Sequence, residues 1–249
     1  MSQVQKVEQV KHLPIKFGEV ARYVIVPGDP NRVPLIANNL ENPEQQGQNR
    51  EFNAYKGTYK GTEVSVVSTG IGCPSTAIAV EELVYIGAEV LIRIGTSGSV
   101  DNSAKKGDIF IATAAVRDDG TSRQYMPIEF PAIASHDLTE NLLKSSMALG
   151  IPTKVGICQS KDSFFGEVEP TRMPVASYLD SKWKAWQGGG VGASEMEAAT
   201  LFTLAQIKKI KAGAVLAVEV SDAETVNKMT KIVLEAINYL EEEIGRAHV

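Results

Sequence analysis

Cysteine is scarce in this chain of 249 residues, with only Cys73 and Cys158. Two isolated thiols supply neither a disulfide framework nor the ligand spacing of a zinc site. A reducing compartment is the expectation. Histidine is nearly as rare: His12, His136 and His248 are the full set, and no Ser/His/Asp pattern surrounds them. A P-loop lysine motif and a dinucleotide-binding glycine fingerprint are also missing. Basic residues are outnumbered, 25 against 30 acidic, for a formal charge of −5. That balance argues against general nucleic-acid binding, which needs a clustered basic surface. No window approaches the roughly twenty apolar residues of a membrane span. Met1 to Lys16 is a polar leader of mixed charge without a signal-peptide core, so a cytoplasmic location is expected.

What is present is a hydrophobic fraction of 43%, enough to build the core of one domain spanning 1–249. Val- and Ile-rich runs predict strands at Tyr23–Val26, Val64–Ser68, Val90–Ile94, Asp108–Ala112, Thr153–Ile157 and Ala214–Val218. Helical patterns fall at Pro74–Tyr85, Asp137–Leu149, Glu195–Ile207 and Lys228–Glu243. In the last, Ile232, Val233, Ala236, Ile237 and Leu240 form one apolar stripe. Strands alternating with helices predict a three-layer α/β/α fold, its central mixed β-sheet flanked by helices.

Several segments carry candidate chemistry. Gly28-Asp29-Pro30-Asn31-Arg32 directly follows a strand, where glycine lets amides approach an anion and arginine adds charge-assisted bonds. The same segment also suits an ordinary turn. Arg93 interrupts an apolar strand, and a buried charge demands a partner or a ligand. The run Gly95-Thr96-Ser97-Gly98 then offers amides and hydroxyls at a strand end, where open α/β sheets bind ligands. Glu195-Met196-Glu197 marks a helix start with Ser194 as its cap; the acids suit either the helix dipole or the vicinal hydroxyls of a sugar. Lys161-Asp162-Ser163-Phe164-Phe165-Gly166 follows another strand. Its aromatic pair fits a core or a stacked heterocycle, and its lysine a surface charge or a proton donor.

Six ordered blocks resemble the uridine phosphorylase branch of the nucleoside phosphorylase family. They are Ile25 to Pro30, Asn49 to Phe52, Ser68 to Gly72, Pro74 to Leu83, Arg93 to Gly98 and Glu195 to Leu201. The resemblance runs from His12 to about Leu240 and implies a hexameric α/β enzyme. It implies that Gly28, Arg32, Arg93 and Thr96 bind phosphate, with Arg50 donated across a dimer interface. Met196 and Glu197 would hold the ribose with Glu195 close by. Ser97 would line the sugar, and His12 of the neighbouring subunit would reach the 5′-hydroxyl. Phe164, Lys161 and Glu167 would meet the base.

Two departures qualify the likeness. The family's glutamine and arginine for uracil are replaced by Gly166-Glu167-Val168-Glu169, which shifts the catalytic expectation to Lys161 beside Arg93. The lid region 219–227 is roughly ten residues shorter than the family pattern, through deletion or because part of the loop is not represented. The implied reaction is phosphorolysis of uridine or deoxyuridine, with inorganic phosphate as co-substrate and no metal or organic cofactor. Uridine and phosphate are the expected partners, along with copies of the chain in a trimer of dimers. A purine nucleoside phosphorylase using Asp222 is the alternative. A nucleosidase or a silent nucleoside-binding protein follows behind.

Overall fold

The computed structural model describes residues 10–247; His248 and the first nine residues of the polar leader lie outside them. In chain order the elements are β1 (Tyr23–Pro27), α1 (Arg32–Ala37), β2 (Glu41–Asn49), β3 (Phe52–Tyr59), β4 (Thr62–Val67), α2 (Cys73–Ile86) and β5 (Val90–Ser99). There follow β6 (Ile109–Asp118), α3 (Thr121–Tyr125), β7 (Ala132–Ile133), α4 (His136–Ala148), β8 (Thr153–Lys161) and α5 (Phe164–Val168). The chain continues through α6 (Ala176–Gly188), β9 (Val191–Glu195), α7 (Ala198–Lys208), β10 (Lys211–Val218) and α8 (Ala223–Ala247).

The ten strands of the described residues join one mixed sheet, as the strand–helix alternation predicts. Strands β2, β3, β4, β1 and β5 lie side by side. Beyond them the sheet curls on itself. β5 runs parallel to β10, β10 antiparallel to β6, β6 parallel to β8 and β8 parallel to β9, and β9 returns antiparallel to β5. Strand ends that an open sheet would keep apart, those of β5, β8 and β9, are thereby brought together.

Two hydrophobic cores cover the two faces. On one, Leu83 of α2 and Phe202 of α7 pack with Leu91 and Ala214. On the other, Ile36 of α1, Leu142 of α4 and Ile237 of α8 pack with Ile92 and Ile94. Each such side chain contributes about 1.5–3 kcal/mol on burial. Because successive strand residues face opposite ways, Arg93 shares the α2/α7 face with Leu91. The apolar stripe expected in the last helix is buried in the second core.

Several boundaries differ from expectation: β5 runs on to Ser99, β6 to Asp118 and β8 to Lys161, and two helix starts also shift. The segment Glu195–Ile207 does not start a helix: Glu195 ends β9, and α7 begins at Ala198. Short strand β9, Val-Gly-Ala-Ser-Glu, is entirely buried and small-residue-rich, so it lacks the alternation that marks a half-buried strand. The final helix begins at Ala223 rather than Lys228, because Asp222 caps it through the Thr225 amide at 2.8 Å.

Candidate active site

Beside the carboxyl end of β1, where β5 pairs it with Val26, Arg93 is 4% exposed and sits between two carboxylates. Its Nε donates to Glu195 Oε2 at 2.9 Å, and its Nη2 contacts Glu197 Oε2. A buried guanidinium needs such partners, since stripping its water without them is prohibitive. Gly95, on the same face two residues on, makes the pose possible: a Cβ there would lie 2.6 Å from Arg93 Nη2. Nη1 is the exception, buried without a hydrogen-bond partner. It faces the turn after β1, where a Cβ on Gly28 would lie 3.7 Å from it and 3.2 Å from the Gly70 carbonyl oxygen. Ser97 Oγ is likewise buried and unpartnered. A buried donor left open costs about 1–3 kcal/mol, so both atoms are candidates to bond a ligand.

The two glutamates do different work. Glu195 is saturated: beyond Arg93 it accepts from the Glu197 amide at 2.8 Å, the Ala198 amide at 3.0 Å and the Ser160 hydroxyl. It therefore caps α7, the helix-dipole role open to it from sequence, and Ser194 does not. Glu197 accepts from the Gly72 amide at 2.6 Å. That amide is available because Gly72 takes a positive φ of 91° just before α2, which glycine tolerates. Burial raises the Glu197 carboxyl above the usual range; Arg93 opposes the shift and the Glu195 charge reinforces it. Two carboxylates share one guanidinium, and Glu197 has the fewer donors of the two. Met196 links them, half-buried, its carbonyl accepting from Cys73 Sγ at 3.2 Å.

Arg32 opens α1 beside this centre. Burial lowers its pKa and the Arg93 charge adds to the shift, while Asp29 and Glu197 oppose it. Thr96 lies further along β5, paired with Ala217 of β10. Gly28, Arg32, Arg93, Thr96 and Ser97 thus share one end of the sheet.

The end of β8 is built differently. Lys161 closes β8 instead of following it, and at 7% exposure it is no surface charge. Its Nζ pairs with Glu167 Oε1 at 2.9 Å and donates to Ser194 Oγ at 2.7 Å. Ser194 Oγ in turn lies 2.6 Å from both Glu167 Oε2 and Gln159 Oε1. Glu167 reaches Gly98, whose absent Cβ would sit 3.6 Å from Oε1. Phe164 and Phe165 are 52% and 53% exposed, so neither is core; their rings meet edge to face at 5.4 Å. A cavity of about 330 Å³ adjoins Lys161 and Glu167, walled by Leu179, Trp183 and Trp186.

His12 and Arg50 stand apart. Among the described residues no hydrogen bond or ion pair joins either to Arg93, Glu195 or Glu197. Arg50 is exposed at the β2–β3 turn with a φ of 54°. His12 is held by Glu82. Asp222 is exposed, and its hydrogen bonds to Thr225 as cap of α8 hold its pKa below the usual range. The lid region amounts to residues 219–222, between β10 and α8. Sequence reasoning placed Gly95 among amides for a ligand rather than beneath Arg93, and missed Ser160 and the Gly72 amide. Alternation along β5 signals Gly95; nothing local signals the other two.

Comparison with known proteins places this geometry. The profile of the Phosphorylase superfamily matches residues 22–243. A uridine phosphorylase of Treponema pallidum is 44% identical over 207 residues, 83% of this chain and 80% of the relative. One from Thermococcus kodakarensis is 44% identical over 209 residues, 83% of this chain and 76% of the relative. A guanosine phosphorylase of Halorubrum lacusprofundi is 38% identical over 208 residues, covering 84% and 82%.

Proposed function

Since the chain belongs to the Phosphorylase superfamily, we propose that it catalyses phosphorolysis of uridine, giving uracil and ribose 1-phosphate. The observation that carries this reading is the open Nη1 of a buried Arg93, aimed at the Gly28 turn. An oxyanion there completes the guanidinium's bonds, and Arg32 and Thr96 flank it. Inorganic phosphate is the co-substrate, and the chemistry needs no metal or organic cofactor.

The reaction follows from the charges. The C1′–N1 bond lengthens and its electron pair moves onto uracil. A phosphate oxygen bonds to the anomeric carbon, and the proton of the monohydrogen phosphate ends on the base. Arg93 and Arg32 hold the nucleophile without having to deprotonate it. Glu197 accepts from the ribose hydroxyls, beside Met196 and Ser97, and fixes the sugar under the phosphate. Negative charge gathers on the departing base, where Lys161 stabilises it. Glu167 accepts from the base N3–H, and Phe164 offers a ring face.

His12 and Arg50 serve a neighbouring copy, so the minimal active unit is a dimer and the assembly a trimer of dimers. The enzyme acts in the cytoplasm.

A purine reading has its own support. Glu167 is a carboxylate, an acceptor that suits two adjacent N–H donors of guanine as well as the one of uracil. Asp222, which caps α8, is not its proton donor. Base release from uridine and guanosine, each with and without phosphate, decides. Phosphate-dependent uracil release is the expected result. Guanine release alone would move the substrate to purines, and release that ignores phosphate would replace phosphorolysis by hydrolysis.

A further inference from the structure

His12 is fixed in place before any substrate arrives. The Glu82 carboxylate, on α2, accepts from the His12 amide at 3.0 Å, the Leu13 amide at 2.8 Å and His12 Nδ1 at 2.7 Å. Burial tends to raise the Glu82 carboxyl, but bonds from the Leu13 amide and from the His12 ring and amide together hold it below its ordinary value. An ionised carboxylate only accepts, so Nδ1 carries a proton toward Glu82 and Nε2 is left for another partner. The ring's other side is limited by Phe52, edge to face at 6.4 Å. Leu13 and Ile15 anchor the segment in the core. A second tether comes from the hairpin: Asn49 Nδ2 donates to the His12 carbonyl at 2.8 Å, and Asn49 directly precedes Arg50.

We infer that Glu82 is a positioning residue that presets His12, and that Asn49 couples His12 to Arg50, so that both are delivered to a neighbouring active site as one unit. The inference rests on the reading above, in which His12 of the partner subunit meets the ribose 5′-hydroxyl. Without Glu82, the imidazole loses its fixed orientation. Only a substrate with a 5′-hydroxyl would register that loss.

The test compares uridine with 5′-deoxyuridine in the full-length oligomer. Glu82→Gln is expected to lower kcat/KM for uridine by about tenfold and to leave 5′-deoxyuridine nearly unchanged. In a His12→Ala background the same substitution should have no further effect on uridine, since Glu82 acts through His12. Equal losses on both substrates, or additive losses in the double variant, would overturn the positioning role and leave Glu82 as structural support. If His12→Ala itself spares uridine, the shared-site reading fails, and this inference with it. Asn49→Ala supplies the second arm: it should raise the KM for phosphate as well as impair uridine. An unchanged phosphate KM would break the link to Arg50.

Discussion

The two ends of the candidate site are charged in opposite styles. Around Arg93 the charges are over-determined: two carboxylates hold one guanidinium, and Nη1 is left without a partner. Around Lys161 they cancel, one lysine against Glu167 with Ser194 and Gln159 closing the network. The first arrangement is preset for an anion. The second can rearrange, because a base able to bond Glu167 competes with Lys161 for the same carboxylate. On the proposed reading, chemistry is fixed at one end and choice of base is open at the other.

The sharpest way to break this contrast is Arg93→Lys. Lysine keeps the charge but not the fork, so two buried glutamates lose part of their shared partner. We expect kcat/KM to fall by about 10³-fold, with phosphate dependence weakened. A lysine variant near wild-type turnover would show that charge alone suffices.

Next comes Glu197→Gln, expected to lower kcat/KM by about 10²-fold. The same variant sharpens the electrostatics. Because burial raises the Glu197 carboxyl, its ionised form is lost as pH falls through a range above that of an ordinary glutamate. The acid limb of kcat/KM should therefore lie above that range in the native enzyme and vanish in Glu197→Gln. A limb that persists would belong to another group.

At the base end, Lys161→Ala should reduce kcat by about 50-fold with a modest change in nucleoside binding. Near-normal turnover would remove Lys161 from the mechanism. The smallest effect is predicted for Asp222→Ala, which removes a cap far from either charge cluster's bonding. It should lower the melting temperature slightly and leave turnover intact; a loss of turnover on guanosine would restore Asp222 as a proton donor.

How much of this was legible in the sequence depended on how local the cause was. Strands such as Val90–Ile94 stood out because β-branched runs bury on both faces. Strand β2 did not: Glu-Asn-Pro-Glu-Gln-Gln-Gly-Gln-Asn is a polar, largely exposed edge with no apolar period. Helix α6 escaped for a related reason, having no fully buried residue to set a stripe. Arg93 was conspicuous as a charge in an apolar strand. Its partners were visible as acids, yet their division into a saturated Glu195 and a Glu197 with fewer donors depends on Ser160 and Gly72, which lie far off in sequence. Phe164 and Phe165 favoured the core by composition, and only the fold exposes them. The Glu82–His12 bond spans seventy positions and left no local trace.

The most direct test of the central claim follows the fate of phosphate itself. Uridine and inorganic phosphate are incubated with the enzyme and monitored by phosphorus NMR alongside uracil release. The account predicts a sugar-phosphate signal growing in step with uracil, and its suppression in Arg93→Lys. Uracil released with free ribose, while the inorganic phosphate signal stays constant, would contradict it.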